Sequence, residues 1–293
     1  RWRPQNIDGS YRGEVTLRAA LEDSLNVPFA WLGQQLGAES VARWARRAGI
    51  DSTLPTTPSL ALGTGEVTPL ELAAAFASLA AGGQRQRPRL VRAASAAGAE
   101  IPLTSVAPPE RALPANEAHL VLDALTGVVE RGTARALAPL TAGRRVAAKT
   151  GTSQNGRDGW CALLTGDAVA VVWVGRDDGR PARLSGSRAG VPVLRELIRL
   201  TGESLIGSLP EPPESLVRVE IDPQTGGIAT RRCPERVSEL YPRERVPGVC
   251  PDHRSFWQRV WSRWKVKEGE TGRRSPRARR DRRGELPEVP ERR

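Results

Sequence analysis

The strongest constraint on this chain is a change of hydrophobic period near residue 133. Before it, apolar residues recur at helical spacing; after it, they alternate or run in short blocks bounded by turn residues. Thr16 is placed to cap a helix through Leu17 and Leu21, ending near Ser24. A second helix is expected from Pro28 to Gly37 and a third from about Ser40 to Gly49. Thr68-Pro69-Leu70-Glu71 is a capping box, with Pro at the first helical position, ahead of a small apolar helix (Leu72 to Ala81) that stops at Gly82-Gly83. Residues 84–114 read as an irregular excursion with short strands, and a helix follows from about Asn116 to Glu130. Strands are then expected at Arg145–Lys149, Gly159–Leu164 and Ala168–Val174, with a last helix at Val191–Leu200. Helices and strands do not alternate as βαβ units, so the expected class is α/β of the α+β kind, an antiparallel sheet packed between helices.

The texture changes at Pro210. Residues 1–209 read as one domain. Residues 210–254 read as a linker and a small cysteine-containing β extension, with a strand at Leu216–Ile221 and a turn at Asp222–Gly227. Residues 255–270 carry a tryptophan-rich amphipathic stripe, and 271–293 an arginine-rich tail expected to be disordered. The formal charge of +11 sits mostly at this end: residues 254–293 hold 14 Lys and Arg against 6 Asp and Glu. It therefore says little about what the folded part binds, and no nucleic-acid recognition motif accompanies it. No apolar run approaches the roughly 18 residues of a spanning helix. Methionine is absent, so a segment upstream of Arg1 is expected.

Among 44 basic residues only Lys149, Lys265 and Lys267 are lysine. A lone lysine ahead of residue 265 invites a chemical role, since its compact ammonium gives three donors and its pKa responds to burial. It opens Lys149-Thr150-Gly151-Thr152, at the end of an expected strand. Ser24-Leu25-Asn26 lies in a loop between two expected helices. A fixed cation flanked by hydroxyls suits a substrate carboxylate, Gly151 allows close approach at a strand edge, and Ser24 and Asn26 suit proton transfer and amide orientation. The only histidines are His119 and His253; His119 lies on an expected helix without a nucleophile motif nearby, so a Ser-His-Asp arrangement is not expected.

Ordered around these motifs stand Asp8-Gly9, Tyr11-Arg12-Gly13, Thr16-Leu17, Ser24-Leu25-Asn26-Val27-Pro28, Gly63 to Gly83, Glu130-Arg131-Gly132-Thr133-Ala134 and Lys149 to Thr152. Together they resemble the transpeptidase domain of class A bifunctional penicillin-binding proteins over about residues 2–205. Arg157-Asp158-Gly159-Trp160 and Trp173-Val174-Gly175-Arg176 look most like the penicillin-binding protein 1C branch. The resemblance implies a serine β-lactamase/transpeptidase-like fold that cross-links peptidoglycan stem peptides through an acyl-serine, using a D-Ala-D-Ala donor and an amine acceptor, binds β-lactams, and needs no cofactor or metal. It implies Ser24, Asn26 and Lys149 as catalytic residues and Thr150, Gly151 and Thr152 as substrate-binding ones. It also implies a glycosyltransferase partner domain and a place at the periplasmic face of the bacterial inner membrane, anchored by an upstream segment. The family's nucleophile motif, Ser-x-x-Lys upstream of Ser-x-Asn, is not found; Ser262-Arg263-Trp264-Lys265 matches only formally, far downstream. The nucleophile is thus expected before Arg1, and the chain is expected to be inactive alone. A D,D-carboxypeptidase or β-lactamase-like hydrolase and a non-catalytic β-lactam-sensing module remain as alternatives.

Three further expectations follow from residue type. Cys161 reads as a buried free thiol, and Cys233 with Cys250 as a disulfide candidate; Cys233, Cys250 and His253 would give a metal only three ligands. Trp160 and Trp173 read as core residues. Trp257, Trp261 and Trp264 form a helical stripe flanked by basic residues that suits contact with a membrane surface.

Overall fold

The computed structural model describes residues 2–253, apart from 92, 97–98 and 102–109. The first half is helical. In α1 (Leu17–Glu22), Thr16 Oγ1 accepts from the Ala19 N–H at 3.1 Å, satisfying one of the donors that a helix start leaves open. Next come α2 (Asn26–Leu36) and α3 (Ala38–Ala48), separated by Gly37 at φ 78°. The first of these starts two residues before Pro28, which sits in the opening turn where a missing N–H costs nothing. At α4 (Pro69–Ala80) the capping box closes both ways, with Thr68 N–H to Glu71 Oε2 at 2.9 Å and Glu71 N–H to Thr68 Oγ1 at 3.2 Å. A short hairpin, β1 (Ala94–Ala96) and β2 (Ala99–Ile101), precedes α5 (Ala115–Glu130).

The second half supplies the sheet: β3 (Ala147–Thr152), β4 (Gly159–Leu164) and β5 (Val169–Val174), antiparallel in the order β3-β4-β5. Its register pairs Lys149 with Ala162, Thr150 with Cys161 and Gly151 with Trp160. On the Thr150–Cys161 face lies α6 (Gly186–Thr201), where a side chain at Gly190 would run into Cys161. Against the sheet also pack α4, on β5, and α5, on β3. Cys161, Ala162, Leu163 and Leu164 are all buried, so both faces are covered and the sheet lies between helices as expected. The last helix begins five residues earlier than its expected Val191: Ser185 caps it by accepting from the Arg188 N–H, and Pro192, which reads as a start signal, sits in its interior. A second ladder, β6 (Leu216–Ile221) with β7 (Val237–Pro242), packs on α5. Trp257, Trp261, Trp264, the Ser262–Lys265 match and the basic tail lie outside the described residues.

The layers are pinned by buried charge. Asp123, in the middle of α5 and 1% exposed, takes Arg18 of α1 and Arg218 of β6 (2.8 Å), while Arg145 stands 3.7 Å away. Arg18 also reaches Glu239 of β7 at 3.0 Å. Glu22 accepts from Arg131 at 2.5 Å. Removing one partner of such a cluster strands the others in a poorly hydrated site. Asp123→Ala is therefore expected to cost about 3–5 kcal/mol in urea unfolding. A loss under about 1 kcal/mol would mean that the arginines find water instead.

Candidate active site

The site forms where the turn after α1 meets β3. Glu22 ends α1, and Asp23 and Ser24 turn the chain into α2, with Ser24 at φ 55°. That left-handed conformation is uncommon for a residue with a β-carbon. The turn is held from outside: the Thr133 N–H donates to the Glu22 carbonyl at 3.3 Å, and any side chain at Gly132 would overlap that same oxygen. The Arg131-Gly132-Thr133 segment is thus a latch on the end of α1, and only glycine lets it close.

Across from this turn, Lys149 Nζ donates to Ser24 Oγ at 2.7 Å and to the Thr150 carbonyl at 2.7 Å. Burial lowers its pKa from 10.5 to about 8, an effect offset only partly by Cys161. At neutral pH the ammonium is still the main form, but its proton is much easier to lose than that of a solvated lysine. Cys161 is a free, buried thiol as expected, pushed up to about 12 by desolvation, so it stays protonated.

The other expected site residues are placed differently. Thr150 is buried, and its hydroxyl shares a 2.6 Å hydrogen bond with Thr133, tying the latch to the strand. The Thr152 hydroxyl accepts from the Gly186 N–H at 3.1 Å, which leaves its own proton to donate. Gly151 stands beside Trp160, with a β-carbon at position 151 falling 3.4 Å from that of Trp160. Asn26 faces the N-terminal segment, where its Nδ2 donates to the Gln5 carbonyl at 2.8 Å. Among the described residues no hydrogen bond joins Asn26 to Lys149 or Ser24. Since β3 is at the edge of its sheet, no further strand pairs with it among those residues.

Two expectations are corrected. Trp160 and Trp173 are not core residues: they pair with tilted rings 6.3 Å apart, and Trp173 is 37% exposed. Strand alternation puts both on the face that carries Lys149 and Gly151. Beside this pair, Asp158 accepts from Ser153 Oγ at 2.8 Å and from Trp173 Nε1 at 3.1 Å, bracing the β3–β4 turn. Cys233 and Cys250 are free thiols, so the expected disulfide is not formed. His119, nearly buried, lines a separate surface depression with Gly82, Arg111 and Ser208.

Residues 1–174 match the family described as the penicillin binding protein transpeptidase domain, and residues 212–255 the C-terminal domain of penicillin-binding protein 1A. The chain belongs to the class A penicillin-binding protein transpeptidases. Penicillin-binding protein 1B of Escherichia coli is 34% identical over 224 residues, covering 75% of this chain and 26% of that protein. Penicillin-binding protein 1A of Aquifex aeolicus is 34% identical over 255 residues, covering 86% and 34%. The chain thus spans between a quarter and about a third of these relatives. The solved penicillin-binding protein 1A of Haemophilus influenzae has the same fold, with a TM-score of 0.70 over 84% of this chain and 42% of that one, at 22% identity. PonA1 of Mycobacterium tuberculosis in complex with penicillin V matches at a TM-score of 0.59 and 27% identity, over 72% of this chain and 62% of that one. These relatives are 1A and 1B proteins, so the assignment stands at class A and goes no finer than that toward the 1C branch.

In this transpeptidase domain, burial of the Lys149 ammonium carries a stability cost that is complete below about pH 8 and fades as pH rises to 10.5, where the unfolded chain also loses the proton. Lys149→Met should therefore raise the melting temperature at pH 7 by roughly 2–4 °C, with the gain shrinking between pH 8 and 10.5. A destabilised variant at pH 7 would contradict this.

Proposed function

We propose that this chain forms two walls of a serine D,D-transpeptidase site that cross-links peptidoglycan stem peptides at the periplasmic face of the bacterial inner membrane. The observation that carries the reading is the 2.7 Å hydrogen bond between Lys149 and Ser24, which joins the Lys-Thr-Gly-Thr strand to the Ser-x-Asn turn. The donor peptide, ending in D-Ala-D-Ala, would lie along the free edge of β3 as an added strand, the backbone supplying register. Its terminal carboxylate would meet the Lys149 ammonium and the Thr152 hydroxyl, a charge-assisted pair of contacts. Thr150 would have to give up its bond to Thr133 to join them, so Thr152 is the main hydroxyl donor. The Thr152 N–H would stabilise the developing oxyanion.

Ser24 would pass the proton. As the acyl bond forms on the serine nucleophile, its proton must reach the leaving D-Ala amine. A hydroxyl held against a lysine with a pKa near 8 can accept on one side and donate on the other. Asn26 would orient the acylated amide once its bond to Gln5 is exchanged for one to substrate. The wider protein would add the nucleophile from a Ser-x-x-Lys motif and glycosyltransferase activity from a separate domain; β-lactams would enter as mimics of the donor.

The test is covalent labelling by a fluorescent penicillin. The 293-residue chain itself should take no label. A chain extended at its front by the Ser-x-x-Lys helix of a class A relative should be labelled, and Lys149→Ala in that extended chain should slow labelling at least about 100-fold. Labelling of the unextended chain, or an extended Lys149→Ala chain that labels at the unaltered rate, would overturn the proposal.

A further inference from the structure

The C-terminal extension brings together four metal-ligating side chains that the transpeptidase site does not use. Asp222, Cys233, Cys250 and His253 each point one ligand atom into a common space, all four atoms within 4.8 Å of one another. Three lie close enough for direct contact: His253 Nδ1 is 2.8 Å from Asp222 Oδ2, Cys250 Sγ is 3.1 Å from that oxygen, and Cys250 Sγ is 3.4 Å from His253 Nδ1. Asp222 is 1% exposed, Cys250 0% and Cys233 5%. A buried carboxylate must be paired, and Asp222 is paired by protons on Cys250 and His253 that a bound cation would replace.

The surroundings are built for this geometry. Asp222 directly follows β6 and its Oδ1 accepts from the Gln224 N–H at 2.9 Å, fixing which oxygen faces the cluster. The Thr230 N–H points at Cys233 Sγ at 3.2 Å, a donor that favours thiolate over thiol. The Thr230 hydroxyl holds the His253 carbonyl at 2.7 Å. A side chain at Gly227 would press on the Cys250 backbone, so the two loops approach as closely as glycine permits.

We propose that Asp222, Cys233, Cys250 and His253 form a structural zinc site. Two thiolates, one imidazole and one carboxylate are a ligand set of intermediate softness, matched to tetrahedral Zn2+. Bonds of about 2.0–2.3 Å to a tetrahedral centre put ligand atoms roughly 3.2–3.8 Å apart, reached here by small side-chain movements. Binding releases the two thiol protons and changes no oxidation state. With four protein ligands no position remains for substrate, so the ion acts by cross-linking the Cys250–His253 stretch to the turn that follows β6. That turn lies against α1, since a side chain at Gly226 would meet Thr16 Cγ2 at 3.6 Å.

The 293-residue chain, reduced and freed of metal by a chelator, should be titrated with Co2+ and then Zn2+. The expected result is about one equivalent of Co2+ with the thiolate charge-transfer and intense visible bands of a tetrahedral site, displaced by Zn2+. Cys250→Ser should abolish those bands, and Thr230→Ala, which touches no metal, should weaken binding about 10- to 100-fold while the bands persist. Cys161→Ser should change nothing. Absence of the tetrahedral spectrum in the reduced wild-type chain would overturn the proposal. So would an unaltered spectrum in both Asp222→Asn and His253→Ala, because the metal would then sit elsewhere.

Discussion

The structure depends on a buried ionic clamp around α1. This helix has six residues, too few to hold together alone in water. It stands because Arg18 is fixed between Asp123 and Glu239, and Glu22 is held by Arg131. The clamp joins α1, α5, β6 and β7, so the C-terminal ladder is braced on the same charges that position the turn at Ser24. Such clusters contribute little net stability compared with apolar packing, yet they specify one arrangement, because every alternative leaves a charge unpaired in the interior.

The chemistry follows from that placement. With α1 fixed and the Arg131-Gly132-Thr133 latch closed, Ser24 presents its hydroxyl to Lys149 across 125 residues of sequence. The covered sheet then supplies the dry surroundings that lower the lysine's proton affinity. Thr133 contributes twice, through its N–H to the end of α1 and through its hydroxyl to Thr150 on β3. The Glu130-Arg131-Gly132-Thr133 segment is thus one turn that locks helix to strand.

Sequence signals are legible where the physics is local. The capping box at Thr68, the bounds of β4 and β6, and the change from helices to an antiparallel sheet all depend on neighbours a few residues apart. The order of the motifs singles out Ser24 and Lys149, and the fold brings the two side chains to 2.7 Å. The clamp is not legible in this way: Glu22 and Asp123 look like ordinary polar positions on amphipathic helices, and their partners lie about a hundred residues away. Asp222 looks locally like a turn former, so the sequence shows only three metal ligands and favours a disulfide. Residue type alone points Trp160 and Trp173 to the core, whereas strand register decides which face they occupy.

The clamp on α1 holds Ser24 against a desolvated Lys149. Because only three lysines exist in the chain, NMR of selectively labelled lysine ammonium groups reads this directly. One of the three signals should titrate near pH 8 in the wild-type protein, disappear in Lys149→Arg, and move back toward 10.5 in Glu22→Gln, where the clamp is broken and water enters. Three lysines titrating together near 10.5 in the wild type, or a signal near pH 8 that ignores Glu22→Gln, would contradict the account.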